Sequence, residues 1–310
     1  MARQGCRFVD GFDAGSYPRA VKQGWPMRRV AGLSELTDEY DSLICDVWGV
    51  LHNGVASFAR AAEALRRFRQ ARGPVVLVTN APRPWGPIRE QMRALGVPDD
   101  SYDAIVTSGD VTRAVIAERP GANVFHLGAD RDLSFYEGLD AVLVPEEEAD
   151  LVSCTGLFDD EVETPEDYRP MLQRFAERRL TMVCANPDLV VERGHRLVPC
   201  AGALAALYRE IGGEAILVGK PHRPIYEAAR SRLAELGGAR TLAIGDGLPT
   251  DIRGAVDNGF DALFVTAGIH AADFGPADNP DEARVAARLA KERLSAVAFL
   301  PYLTWDGARS

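Results

Sequence analysis

The sequence predicts an α/β fold built on a mostly parallel sheet with helices on both faces. Two observations support this prediction. From residue 42 onward, short apolar runs alternate with segments of helical periodicity. Several of the runs are continuously apolar and rich in β-branched residues, as strands buried on both faces are. In such a fold the ligand site lies beyond the carboxyl ends of the strands, so the residues that follow each strand are the ones to examine.

The predicted elements follow one another in a regular order. Residues 43–45 form a short apolar strand, and residues 58–72 have apolar side chains at helical spacing. Residues 75–78 give the clearest signal of a buried strand. The further predicted strands are 104–106, 124–127, 151–154, 181–184, 215–218, 241–244 and 262–265. The further predicted helices are 85–95, 110–118, 165–178, 202–211, 224–236, 250–258 and 282–294, and residues 140–150 are predicted to be irregular.

Composition limits the class of partner. The net charge is −10, which argues against bulk binding to nucleic acid or to an anionic membrane surface. An anionic small substrate stays compatible, because a metal ion and a few amides can reverse the sign of the charge locally. The five cysteines have no zinc-site spacing, and several lie in apolar runs, which fits a reducing cytoplasm. We therefore expect a cytoplasmic protein with neither nucleic acid nor membrane as a partner.

Polar residues of complementary kinds follow four of the predicted strands. They are Asp46, then Thr79 with Asn80, then Lys220, then Asp246 with Asp251. A carboxylate that attacks a phosphate ester needs a cation to offset the repulsion, and Asp46 and Asp246 are hard oxygen ligands suited to Mg²⁺. The backbone carbonyl of Trp48 is a further candidate ligand, and Asp251 is expected to bind the metal or to orient its waters.

The other two strand ends supply neutral and positive groups for the same chemistry. The hydroxyl of Thr79, with nearby backbone N–H groups, is expected to hold the transferring phosphoryl oxygens. The ammonium of Lys220 is expected to offset charge on both the nucleophile and the phosphoryl group. The four strand ends together therefore predict a site for attack on phosphorus.

These segments resemble the four motifs of the haloacid dehalogenase (HAD) superfamily. The matching residues are Asp46 with Gly49, Thr79 with Asn80, Gly219-Lys220-Pro221, and the Gly-Asp and Asp of residues 245–251. The segment Ala185-Asn186-Pro187-Asp188 and the long insertion after the second motif resemble the class IIA members. These are the phosphatases of N-acetylglucosamine phosphate, pyridoxal phosphate and p-nitrophenyl phosphate. The resemblance covers roughly residues 35–270.

The resemblance implies a domain organisation and a mechanism. It implies a Rossmann-like HAD core at residues 31–81 and 196–310 and an inserted α/β cap domain of the C2 type at 82–195. Residues 1–30 are rich in Gly, Arg and aromatic residues, and this composition predicts an N-terminal extension. The catalytic residues would be Asp46, Lys220 and Thr79. Asp46 would become phosphorylated, and water would then release the phosphate from it. Mg²⁺ would be held by Asp46, Trp48, Asp246 and Asp251. Residues expected to contact the substrate, a small phosphorylated metabolite, are Asn80, Trp48, Gly49, Asn186, Asp188 and His52. The resemblance also suggests a homodimer.

Trp48 departs from the phosphatase pattern, which has an aspartate at this position to protonate the leaving oxygen. Loss of such a general acid typically costs about 10²–10⁴-fold in rate. Three interpretations stay open. The protein is a phosphatase that releases good leaving groups or uses another acid such as His52 or Asp188, or it is a dehalogenase-like hydrolase, since haloacid dehalogenases carry tyrosine at this position. The third interpretation is a non-catalytic binder of a phosphorylated ligand. The retained Asp246 and Asp251 favour the first.

Overall fold

The computed structural model describes residues 27–193 and 196–307. Among these, the chain divides into two compact units. The core unit comprises residues 27–79, 86–106 and 225–307, and the insert unit comprises 80–85, 107–193 and 196–224. The predicted domain borders stay a prediction; the units group 86–106 with the core and 196–224 with the insert. Most of the predicted N-terminal extension, residues 1–26, lies outside the described residues.

All predicted strands and helices are present; the ends of the strands Leu151–Cys154 and Thr181–Cys184 match the prediction and those of most other elements are shifted by one or more residues. The strands are β1 (Arg28–Arg29), β2 (Ser42–Asp46), β3 (Val75–Thr79), β4 (Ala104–Thr107), β5 (Ala122–Leu127), β6 (Ala141–Leu143), β7 (Leu151–Cys154), β8 (Thr181–Cys184), β9 (Val190–Arg193), β10 (Arg196–Pro199), β11 (Glu214–Leu217), β12 (Thr241–Gly245), β13 (Asp261–Val265) and β14 (Ala298–Leu300). The helices are α1 (Ala59–Ala71), α2 (Trp85–Ala94), α3 (Ser108–Ala117), α4 (Arg169–Glu177), α5 (Ala201–Glu210), α6 (Arg223–Glu235), α7 (Arg253–Asp257) and α8 (Glu282–Lys291).

The core unit is organised by a seven-stranded sheet in the order β1-β14-β13-β12-β2-β3-β4. The central strand β2 pairs in parallel with both β12 and β3. All five residues of β2 and of β3 are buried, which explains their unbroken apolar sequences. Because β2, β3 and β12 run in the same direction, their carboxyl ends lie at one edge of the sheet.

The insert unit contains its own five-stranded sheet, in the order β6-β5-β7-β8-β11. Every pairing in it is parallel, so the predicted α/β class with mostly parallel sheets is confirmed for both units. Its core packs helices α4 and α5 against the sheet through large buried side chains such as Phe175 and Tyr208. Each such side chain stabilises the unit by roughly 1.5–3 kcal/mol. Strands β9 and β10 add a separate antiparallel hairpin.

One prediction about the insert is wrong. Residues 140–150 were expected to be irregular, but β6 occupies three of them and pairs with β5. A strand of three residues is too short to show a period of two, and β6 lies at an edge where Val142 and Leu143 are exposed. In the acidic run that follows, Glu146 forms an ion pair with Arg174 and only 16% of its side chain is exposed, whereas Glu147 and Glu148 are exposed.

The cysteines of the described residues are buried and form no disulfide: Cys45, Cys154, Cys184 and Cys200. Burial raises the pKa of Cys184 to about 12, so this thiol is inert at neutral pH. Within residues 27–193 and 196–307, none of the helices has the length and apolar content needed to cross a bilayer.

Candidate active site

Three carboxylates meet at the carboxyl edge of the core sheet. Asp46 is the last residue of β2, Asp246 follows β12, and Asp251 lies five residues further on. Each is buried, and each offers an oxygen within 4.8 Å of the oxygens offered by the other two. At an effective dielectric constant of about 20, two charges at that separation repel by roughly 3 kcal/mol. A set of buried carboxylate oxygens this close therefore fits a hard divalent cation.

Asp246 is held in one orientation by its surroundings. Its Oδ2 accepts a hydrogen bond from the backbone N–H of Ile269 at 2.8 Å. Gly49 and Gly268 lie against the same carboxylate, and a Cβ on Gly49 would come within 2.3 Å of Oδ2. Gly49 also has a φ of +85°, a conformation that favours glycine. Gly49, which is predicted to contact the substrate, thus leaves room for the carboxylate of Asp246.

Asp251 is positioned by a turn that the sequence analysis did not anticipate. A helix was predicted to start at residue 250, but residues Leu248–Ile252 form a wider, π-helical turn and α7 begins at Arg253. The backbone N–H groups of Asp251 and Ile252 both donate to the carbonyl of Gly247. Asp251 Oδ2 in turn accepts from the N–H of Gly247 at 3.0 Å. This turn directs the carboxylate towards the other two.

Thr79 ends β3, the strand next to β2. Its neighbour Val78 is paired in register with Asp46, and the Thr79 side chain is buried. The fold therefore brings Thr79 to the same edge as Asp46, while its role in holding phosphoryl oxygens stays a prediction.

The loop after Asp46 holds Trp48 and His52 together. The two rings meet edge to face with centroids 5.3 Å apart, and the N–H of Gly49 donates to the carbonyl of His52 at 2.8 Å. His52 is buried, whereas half of the Trp48 surface is exposed. Gly54 packs against the indole, since a Cβ on Gly54 would lie 2.3 Å from Trp48 Cη2.

His52 is poorly suited to replace the missing acid. Its Nδ1 accepts a hydrogen bond from the N–H of Gly54 at 3.1 Å, which leaves the ring proton on Nε2. Burial lowers the pKa of the imidazole below its ordinary value. A neutral imidazole is not a ready proton donor near pH 7. The structure therefore favours His52 as a support for the loop and for the indole.

The remaining predicted residues form a second cluster, inside the insert unit. Its members are Asn80, Asn186, Asp188 and Lys220. The Asn80 side chain accepts from the backbone N–H of Lys220 at 2.6 Å and donates to the Lys220 carbonyl at 3.1 Å and to Asp188 Oδ1 at 2.9 Å. The Asn186 side chain accepts from the N–H of Asp188 at 3.0 Å. Both hydrogens of the Asn80 amide are used to hold Lys220 and Asp188, while its contact with substrate stays a prediction.

Comparison with known proteins relates this chain to one family of hydrolases. Residues 43–141 match the protein-family model for haloacid dehalogenase-like hydrolases, and residues 217–291 match a second model described as HAD-hydrolase-like. A solved hydrolase of the haloacid dehalogenase-like family from Brucella suis 1330 is 51% identical, with a TM-score of 0.75. That comparison covers 90% of this chain and 100% of the other.

Two further relatives carry names that describe an activity. Ribonucleotide monophosphatase NagD of Escherichia coli (strain K12) is 25% identical over 234 residues, which is 75% of this chain and 90% of that protein. The structure of a glycerol phosphate phosphatase from Mycobacterium tuberculosis in complex with calcium is 25% identical, with a TM-score of 0.60. It covers 76% of this chain and 68% of the other.

Proposed function

Because this chain belongs to the haloacid dehalogenase-like family of hydrolases, we propose that it is a magnesium-dependent phosphatase of small phosphorylated metabolites that acts through an aspartyl phosphate on Asp46. The observation that carries the proposal is the buried cluster of Asp46, Asp246 and Asp251. The names of two relatives, a ribonucleotide monophosphatase and a glycerol phosphate phosphatase, both describe removal of phosphate from a small ester.

The three carboxylates and the backbone carbonyl of Trp48 would hold the Mg²⁺. When bound, the ion supplies positive charge that offsets the phosphoryl group. The relative from Mycobacterium tuberculosis was solved with calcium, another hard divalent cation. The oxygen ligands of this chain, which are all carboxylates or carbonyls, belong to the class that such cations prefer.

Asp46 performs the covalent chemistry in two steps. In the first step an Asp46 oxygen bonds to phosphorus while the bond between phosphorus and the leaving oxygen breaks. In the second step water attacks the same phosphorus, the bond to Asp46 breaks, and phosphate leaves with the Asp46 carboxylate regenerated. In this proposal Thr79 orients phosphoryl oxygens and Lys220 offsets their charge. The hold of Asn80 on the Lys220 backbone supports a fixed position for that lysine within the insert unit.

The indole of Trp48 supplies no proton to the leaving oxygen. The leaving group must therefore depart as an anion or take its proton from water. Such a site acts best on phosphorylated compounds whose leaving groups have a low pKa, such as aryl and acyl phosphates. The preference for good leaving groups follows from the residue at position 48 itself, and the neutral state of His52 supports it.

The test is hydrolysis of p-nitrophenyl phosphate with and without Mg²⁺. We expect Mg²⁺-dependent release of p-nitrophenol by the wild type and none by Asp46→Asn. Mass spectrometry of the quenched wild-type reaction should show a phosphoryl adduct on Asp46. The matched control is Asp278→Asn, which changes an exposed aspartate of the same unit and should keep full activity. Activity that persists in Asp46→Asn would remove Asp46 as the nucleophile.

The aromatic residue at position 48 also favours one alternative, a carboxylate nucleophile that attacks carbon and displaces halide. Release of halide from 2-chloropropionate, with no phosphatase activity, would establish that alternative. Stabilisation by Mg²⁺ and phosphate with neither activity would instead identify a binder of phosphorylated ligands.

A further inference from the structure

The exposed indole of Trp48 is the most unusual feature of the loop that follows the nucleophile. Trp48 is 50% exposed, although tryptophan carries one of the largest apolar surfaces of any side chain. It lies two residues after Asp46, in the same turn. An exposed apolar surface of this size, two residues from the candidate nucleophile in sequence, is a candidate for contact with the organic part of a substrate.

The indole is fixed in place before any ligand arrives. The buried ring of His52 supports it edge to face, with an interplanar angle of 79°. Gly54 supports it at Cη2, Cζ2 and Cζ3, and a side chain at that position would displace the ring. A preorganised aromatic surface loses little conformational freedom when a ligand binds to it. The contacts with His52 and Gly54 therefore hold the indole in one exposed orientation.

The electronic character of the indole selects among aromatic partners. The face of an aromatic ring is negative and its edge is positive, so electron-poor rings stack on indole better than electron-rich ones. Electron withdrawal also lowers the pKa of a phenol or hydroxypyridine. The esters that bind best to the indole are thus the same esters whose leaving groups depart without a general acid.

We propose that Trp48 is the binding surface for the leaving group, and that the substrates are phosphate esters of electron-poor planar rings. The inference rests on the proposed phosphatase function and narrows it, because acyl phosphates have equally good leaving groups but no ring to stack. Trp48 thereby determines specificity in two ways. It binds the ring of the leaving group, and it provides no general acid for poor leaving groups.

The test compares an aryl phosphate ester with an acyl phosphate, which is a non-aromatic mixed anhydride whose leaving group is also good. The kcat/KM ratio of p-nitrophenyl phosphate to acetyl phosphate is measured in the wild type, Trp48→Leu and Trp48→Phe. Stacking on an aromatic side chain is typically worth 1–3 kcal/mol, so we expect Trp48→Leu to lower this ratio roughly tenfold and Trp48→Phe to lower it less. The control is Trp85→Leu, because Trp85 is also 50% exposed but lies in the insert unit; its ratio should match the wild type.

A second variant moves the indole without removing it. In Gly54→Ala the new methyl group occupies the space of Cη2, so the ratio should fall as it does in Trp48→Leu. An unchanged ratio in folded Trp48→Leu, or an equal loss in Trp85→Leu, would overturn the inference.

Binding without turnover separates this inference from the proposed function. In the Asp46→Asn background, calorimetric titration with p-nitrophenyl phosphate and with inorganic phosphate gives two dissociation constants. The aryl ester should bind more tightly than phosphate, and the added change Trp48→Leu should remove roughly tenfold of that advantage. If no variant hydrolyses any ester, the phosphatase proposal fails, while these titrations still decide whether the indole binds the ring.

Discussion

The side chain of Asn80 is bonded to both backbone polar groups of Lys220, accepting from its N–H at 2.6 Å and donating to its carbonyl at 3.1 Å. The two residues are separated by 140 positions in sequence. Asn80 and Lys220 are both buried, so their polar groups have little access to water. Asn80 is therefore a positioning residue, which fixes the backbone that carries the candidate catalytic lysine.

Replacement of Asn80 by alanine should destabilise the protein and slow catalysis. The change leaves a buried N–H and a buried carbonyl of Lys220 without this partner, at a cost of about 1–3 kcal/mol for each group. We expect a lower thermal midpoint and a lower kcat, with KM changed less. Asn123→Ala, at a half-buried asparagine of β5, is the control and should show a smaller shift. Equal shifts for the two variants would contradict the positioning role.

Replacement of Gly49 by alanine should damage the metal site. The new methyl group would lie 2.3 Å from Asp246 Oδ2, and the φ of +85° is strained for alanine. We expect weaker Mg²⁺ binding by calorimetry and a loss of a few kcal/mol in the free energy of unfolding. Gly86→Ala is the matched control, because a Cβ there meets no atom within 4 Å and the residue lies in helix α2; it should be neutral or stabilising.

Mg²⁺ should raise the thermal midpoint through the three carboxylates. A ligand at 100 times its dissociation constant stabilises the folded state by about 2.7 kcal/mol. Asp251→Asn removes one charge from the cluster and should reduce the shift produced by a given Mg²⁺ concentration. Asp278→Asn should respond as the wild type does, since this exposed aspartate lies outside the cluster. A full response in Asp251→Asn would show that Asp251 is not needed for metal binding.

An aspartate in place of Trp48 should restore proton delivery to poor leaving groups. The missing acid is worth about 10²–10⁴-fold, and we expect the Trp48→Asp variant to recover at least about tenfold in kcat for an alkyl phosphate. Its dependence on leaving-group pKa should flatten across a series of esters. Trp48→Phe also disturbs the indole contacts but adds no acid, so a similar gain there would argue against proton transfer.

Stability should fall as the pH drops below about 6.5, the ordinary pKa of histidine. Burial lowers the pKa of His52, and burial also lowers those of His222 and His270. The unfolded chain therefore binds these protons at a higher pH than the folded chain does, so acid favours unfolding. In thermal scans from pH 7.5 to 5.5, the midpoint of unfolding should fall less steeply in His52→Asn than in the wild type, because an Asn oxygen can accept the Gly54 hydrogen bond without titrating.

The sequence was sufficient for the parts of the fold that have strong periods or long apolar runs. Strand β3, with five buried residues, and helix α1 were predicted to within one residue at each end. The three-residue strands β6 and β14 carry too few residues to show a period. The turn at Leu248–Ile252 depends on hydrogen bonds that converge on Gly247, which no local pattern reveals.

Asp46 and Asp246 were predictable as neighbours because they lie at the carboxyl ends of β2 and β12, which are paired in the sheet. The supports of the site were not predictable in the same way. Ile269 contributes a backbone N–H, which any residue but proline could supply. Gly268 contributes only space beside Asp246, and its position three residues after β13 was the one signal available. The hydrogen bonds between Asn80 and Lys220 were not predictable either, because the two residues are 140 positions apart in sequence.

The short edge strand β6 also bears on how the protein behaves at high concentration. An exposed edge of a parallel sheet can recruit further strands and seed aggregates. In β6 the apolar residues Val142 and Leu143 are exposed, but the strand spans only three residues, with Asp140 before it and Pro145 two residues after it. The charge of Asp140 and the missing backbone donor of Pro145 leave only a short segment that another strand could pair with. We therefore expect this edge to resist fibril-like growth.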